Sequence, residues 1–197
     1  MPTELDRQLR DIRACRACEA VLPLGPRPVL QADARARILV AGQAPGLKVH
    51  ESGIPWDHDA SAKRLCAWLG VSDAELHDPA LFALVPMGFC YPGKGKGGDL
   101  PPRPECRALW HDRLFKQLPN LRLKIVIGKY AQDYHLAGQA RASLMETVAA
   151  WRDYAPTVFP LPHPSPRNQM LISRHPWIEA ELLPALKMAV REVLSRG

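Results

Sequence analysis

Long apolar runs are missing from this sequence. None approaches the roughly 20 residues of a membrane-spanning helix, and the opening stretch MPTELDRQLRDIRACRAC is charged, without the apolar core of a secretory leader. The expectation is a soluble, cytoplasmic chain with no membrane partner. Also missing are the two common phosphate-cradle spacings. The glycine-rich stretch GQAPG, Gly42 to Gly46, follows neither G-x-G-x-x-G nor G-x-x-x-x-G-K, which argues against a dinucleotide site or a P-loop there. No repeat recurs along the chain, and the one biased block is the Pro and Gly-rich YPGKGKGGDLPPRP. A dense basic tail is absent too. The net charge of +6 is spread over the whole length, which favours an anionic partner, nucleic acid being one candidate, without naming it.

What is present describes one core. A chain of 197 residues, 47% hydrophobic and 23% charged, buries enough for a single domain, taken as 1–197, and is expected to be a monomer. Four short apolar runs, ARILVAG (36–42), LFALVPMG (81–88), LKIVIGK (123–129) and TVFPLP (157–162), end at or near Gly or Pro and read as buried parallel strands. Helical patterns lie before, between and after them, over 5–16, 60–69, 104–118, 129–136, 143–151 and 176–194. Alternation of this kind specifies the α/β class, a three-layer α/β/α sandwich around a central four-stranded parallel sheet, with right-handed crossovers. Ligand chemistry in such sheets gathers at the carboxyl ends of the strands.

Two of those ends stand out. After the first strand, Gly42 and Gly46 permit tight turns and close approach of a ligand, Pro45 stiffens the loop, and Gln43 offers both donor and acceptor. Trp56, further along, is either a stacking platform for a flat ligand or a core residue. After the last strand comes HPSPRN, His163 to Asn168. Its prolines fix φ and keep the preceding residues extended, so the run is a stiff turn that aims its polar side chains.

The cysteines add a second constellation. Cys15 and Cys18 form a C-x-x-C, Cys90 and Cys106 flank the Gly-rich block, and Cys66 sits inside an apolar helical pattern as an ordinary buried thiol. In a reducing compartment a two-plus-two arrangement reads as a zinc or iron–sulfur site, and spacing alone leaves both open. A redox pair at Cys15 and Cys18 is the other reading, against which no thioredoxin-like strand precedes them. Lys94, Lys96 and Arg103, between the later cysteines, suit phosphate contacts if DNA is the partner.

Taken together, GQAPG after the first strand, four cysteines so spaced and HPSPRN after the last strand resemble the uracil-DNA glycosylase superfamily. Cys15, Cys18, Cys90 and Cys106 look like the four ligands of its iron–sulfur branch. There the first motif reads G-E-A-P-G and is followed by G-R-P-F, matched here by Gly42-Gln43-Ala44-Pro45-Gly46 and Gly53-Ile54-Pro55-Trp56 at the same gap. His163-Pro164-Ser165-Pro166-Arg167-Asn168 is similar instead to the motif of the single-strand-selective monofunctional branch. The resemblance implies an enzyme of base excision repair with a 4Fe-4S cluster (alternatively zinc). It would act on DNA, single-stranded or duplex, that contains a modified base, after flipping that base out of the stack.

Roles follow from the same resemblance. Gly42, Ala44, Pro45 and Gly46 would line the base site, and Trp56 would stack on the flipped ring. His163 would donate to the base carbonyl where negative charge develops. Ser165, Pro166, Arg167, Lys94 and Lys96 would hold DNA, Arg167 by entering the minor groove. Two departures from the pattern matter. Pro86 stands where the iron–sulfur branch has a uracil-reading asparagine, a role then expected of Asn168. Gln43 replaces the acidic residue of the first motif, so a water-activating carboxylate is sought among Glu51, Asp57 and Asp59, with Asp57 first because it adjoins Trp56. Two rival readings accompany this one: a non-catalytic nucleic-acid-binding member of the same fold, and a metal-dependent hydrolase built on His50, His58, Asp57 and Asp59.

Overall fold

A computed structural model describes residues 1–57 and 59–196. In chain order its elements are α1 (Glu4–Arg13), β1 (Ile38–Ala41), α2 (Leu47–Ser52), α3 (Ala60–Leu69), α4 (Asp73–Leu76), β2 (Phe82–Leu84), β3 (Lys94–Gly95), β4 (Gly98–Asp99), α5 (Pro104–Cys106), α6 (Asp112–Lys116), β5 (Leu123–Ile127), α7 (Lys129–His135), α8 (Leu144–Ala149), β6 (Val158–Leu161), α9 (Gln169–Ser173) and α10 (Leu183–Ser195). Four of the strands form one parallel sheet in the order β2-β1-β5-β6. No described helix is long and apolar enough to cross a membrane.

Side chains alternate across a strand, and here both faces are apolar. Ile38, Val40, Phe82, Leu84, Ile125 and Phe159 point into one core with Leu65 and Leu69 of α3 and Leu186 and Val190 of α10. Leu39, Ala41, Ala83 and Val126 point into the other, against Leu5, Leu9 and Ile12 of α1 and Leu114 of α6. Helices therefore cover both faces, the three-layer α/β/α arrangement expected from the alternation of apolar runs. Thr3 and Asp6 close a capping box at the start of α1, and the Asp59 carboxylate accepts the Ala62 N–H to begin α3. Pro160 is tolerated because β6 lies at the sheet edge, where a missing N–H breaks no ladder.

Three details differ from the sequence reading. The second strand stops at Leu84, not at Gly88, because Pro86 has no N–H to extend the ladder. The helix expected over 104–118 is interrupted by a π-helical turn, Arg107–His111, and a second such turn, Ile178–Leu182, precedes α10. The Gly-rich block holds a small antiparallel hairpin, with Lys94 opposite Asp99 and Gly95 opposite Gly98.

Candidate active site

The loop after β1 and the segment after β2 are zipped together at the carboxyl end of the sheet. Met87 N–H donates to the Gly42 carbonyl at 2.8 Å and Gly88 N–H to the Gln43 carbonyl at 2.9 Å. Beside them opens a cavity of about 420 Å³, within the size range of small-molecule sites. Gly42, Gln43, Ala44, Pro45, Gly46, Trp56 and His163 all line it, and so does Pro86. Residues that the sequence places more than a hundred positions apart thus share one wall.

His163 is held from within its own loop. The Ser165 backbone N–H donates to its Nδ1 at 3.1 Å, and the Asn168 side-chain amide donates to its carbonyl at 2.8 Å. An Nδ1 that accepts carries no hydrogen, so the neutral ring bears its proton on Nε2. Burial pushes the His163 pKa below the usual histidine value, and the nearby Asp59 and Asp99 carboxylates offset only part of that shift. The result is a neutral imidazole with one free donor. Arg64 of α3 braces the same loop, donating to the Ser165 carbonyl at 3.3 Å and to Gln169 Oε1 at 2.7 Å.

Trp56 packs against the core that holds α3 and also lines the cavity. Its ring lies nearly parallel to that of His163, centroids 5.6 Å apart at 24°. The two stacked rings form one aromatic part of the cavity wall. The backbone of Trp56 has φ 53°, a left-handed conformation that is unusual for a bulky side chain.

Several other expected residues lie elsewhere. Asp57, Asn168, Ser165, Pro166, Arg167, Lys94 and Lys96 are not among those lining the cavity. Asn168 spends its amide on the His163 carbonyl, and the Ser165 hydroxyl oxygen accepts from the Arg167 N–H at 3.3 Å. Arg167, Pro166, Lys94 and Lys96 are exposed. Gln43 is a tether: its Nε2 donates to the Leu100 carbonyl at 2.8 Å and to the Asp99 carbonyl at 3.4 Å, tying the hairpin to the first loop. The cavity carboxylates are Asp59 and Asp99. Sequence reasoning passed over Asp99, since nothing in GKGKGGD marks a hairpin that folds back on the site. Of the metal-hydrolase set, His58 lies outside the described residues, and His50 is buried near Tyr91.

Four of the five cysteines gather around a second, smaller cavity. Cys15, Cys18, Cys90 and Cys106 all line one small cavity with Phe89, Arg103 and Trp110, whereas Cys66 belongs to the core under α3. Burial raises the Cys18 thiol, pushes Cys90 to about 11 and Cys106 to about 12. Among the described residues no three His, Cys, Asp or Glu side chains come together as a metal-ion site. Arg103, expected to face phosphate, is paired with Glu105 beside these thiols.

Compared with models of known protein families, residues 30–187 match the one described as the uracil DNA glycosylase superfamily. The match covers most of the chain and begins after Cys15 and Cys18.

Proposed function

Because the chain belongs to the uracil DNA glycosylase superfamily, we propose that it is a DNA glycosylase of base excision repair. It would hydrolyse the N-glycosidic bond of a flipped uracil or other deaminated or damaged base. The observation that carries the reading is the hydrogen bond from Ser165 N–H to His163 Nδ1, which leaves Nε2–H as a fixed donor in an aromatic-walled cavity. As the glycosidic bond breaks, its electron pair moves onto the base and charge accumulates on a carbonyl oxygen. A neutral donor already in place stabilises that charge without reorganising. Trp56 offers its face to the base, and Gly42 to Gly46 keep the facing wall low.

Base recognition takes a different form from the family's asparagine. Pro86 offers no side-chain amide and no N–H, so the wall at the end of β2 does not read a base edge by donating to it. Arg167, Lys94 and Lys96, exposed outside the cavity, would bind the phosphates of single-stranded or duplex DNA. The protein would act as a single-domain monomer.

Cys15, Cys18, Cys90 and Cys106 would hold the 4Fe-4S cluster. The support for this reading is that the four thiols line one cavity, and thiolates suit either such a cluster or, alternatively, zinc. When bound, the cluster contributes a covalent staple between the N-terminal segment and the hairpin loop. Raised thiol pKa values mean that the apo site holds protons which binding must displace.

The test is base release from oligonucleotides bearing uracil, hypoxanthine, xanthine or hydroxymethyluracil, single-stranded and duplex, followed by cleavage at abasic sites. His163→Ala should lower the single-turnover rate roughly 10²-fold while DNA affinity, dominated by phosphate contacts, changes little. Equal rates in wild type and variant would overturn the role of His163. No release from any substrate by the wild type, with salt-sensitive DNA binding retained, would identify a non-catalytic binding member instead.

A further inference from the structure

We propose that Asp99, carried on the β3–β4 hairpin, is the carboxylate that takes the proton of the attacking water; this rests on the glycosylase reading above. Hydrolysis needs a group to orient the water and accept its proton, on the sugar side of the departing base. The cavity offers two carboxylates. Asp59 is committed in part: one of its oxygens accepts the Ala62 N–H at 2.8 Å as the cap of α3. Asp99 is attached to the site only through its backbone, its carbonyl accepting from Gln43. Its carboxylate makes no hydrogen bond or ion pair with any other described residue, so both oxygens remain for water.

Its position is set by three features. Gly46 leaves space beside it: a Cβ at that position would lie 3.6 Å from Asp99 Oδ2, so any longer side chain would press on the carboxylate. Gln43 holds the neighbouring carbonyls, of Asp99 at 3.4 Å and Leu100 at 2.8 Å, against the loop after β1. Lys94 sits directly opposite Asp99 in the hairpin, and opposed residues share a face. Exposed Lys94 and Lys96 are free to meet a phosphate, so DNA itself would press the hairpin onto the cavity.

The step balances without a co-reactant. The C1′–N bond breaks and its electron pair leaves with the base, whose carbonyl is met by His163 Nε2–H. Positive charge grows on the sugar and is opposed by the Asp99 carboxylate. The water oxygen forms the new bond to C1′ and gives one proton to Asp99, which then passes through solvent to the expelled base anion. Donor and carboxylate act at opposite ends of the breaking bond, and the raising effect of Asp99 on the His163 pKa places both in one electrostatic field.

The experiment is single-turnover base release by Asp99→Asn, Asp59→Asn and Asp57→Asn on whichever modified oligonucleotide the wild type cleaves, with DNA affinity measured in parallel. Asp99→Asn is expected to lose roughly 10²-fold or more in rate, more than either other variant. Its DNA binding should be equal to or tighter than wild type, since a negative charge is removed, and Asp99→Glu should recover part of the rate. A wild-type rate in Asp99→Asn, or a larger loss in Asp57→Asn or Asp59→Asn, would overturn the assignment and leave the glycosylase reading standing. No base release by the wild type on any substrate would overturn both.

Discussion

Acid should weaken the fold well before its carboxylates titrate, and the reason lies in two histidines behind the cysteine cavity. His111 is fully buried among Phe89, Phe115 and Tyr134, and His135 packs edge-on against Phe115 and Tyr134. Neither nitrogen of His111 has a well-formed hydrogen bond, and the backbone of Pro86 offsets only part of the burial effect. Burial holds the His111 pKa down to about 4 and the His135 pKa down to about 3. An unfolded histidine titrates near 6.5. The folded chain therefore binds these protons only far below the pH at which the unfolded chain does, so stability is full above about 6.5 and falls as pH drops through that value. At pH 5 each unfolded histidine is about 1.5 pH units into its titration while the folded one stays neutral, a loss of about 2 kcal/mol apiece and about 4 for the pair. That is a large part of a typical 5–15 kcal/mol stability. His163, with its pKa lowered in the same sense, adds to the loss. The carboxylates whose pKa values are depressed by capping or ion pairing, such as Glu75 and Glu146, keep their full contribution above the usual carboxylate range and lose it only as the pH falls through that range. Urea midpoints measured at pH 7.5 and pH 5 should show the drop, and His111→Phe should shrink it by about 2 kcal/mol. An identical pH-dependent drop in wild type and His111→Phe would refute the reasoning.

Two further outcomes are expected. Protein purified without oxygen should be brown and carry iron and sulfide; Cys106→Ser should lose them and Cys66→Ser keep them, whereas colourless protein with stoichiometric zinc would favour the single-ion site. Arg64→Ala frees the Ser165 carbonyl and Gln169, and losing a charge-assisted hydrogen bond of about 1.5 kcal/mol should slow base release about tenfold; an unchanged rate would show that the loop holds His163 without this brace.

The sheet was legible because its strands are buried on both faces. Runs such as RILVA and KIVI then need no alternation to be recognised, and a Gly or Pro near each end marks where ligand loops begin. The four spaced cysteines do line one cavity. The hairpin was not legible. Two-residue strands made of Lys, Gly and Asp have no apolar face, and Gln43 anchors them, so the place of Asp99 in the cavity wall has no signal in the sequence. The π-helical turn at Arg107–His111 escaped likewise, since its extra residue is absorbed where Cys106 meets one cavity and His111 another set of rings. That the Asn168 amide donates to the His163 carbonyl is a fact of the turn's geometry, with no signal in the sequence.

That turn carries its own mounting. The contacts that set the ring state and carbonyl of His163 come from Ser165 and Asn168, two and five positions further on, and not from the sheet or the opposite wall. Six consecutive residues thus supply the hydrogen bonds that orient the ring, with Arg64 and the Trp56 ring as the outside supports. The wall at Pro86 belongs to a different strand end, with no bond to that turn among the described residues. In the proposed reaction, departure of a base and discrimination between bases would therefore be separately inheritable traits: one strand end could be retuned through many substitutions while the other keeps the same donor pointed at the same place.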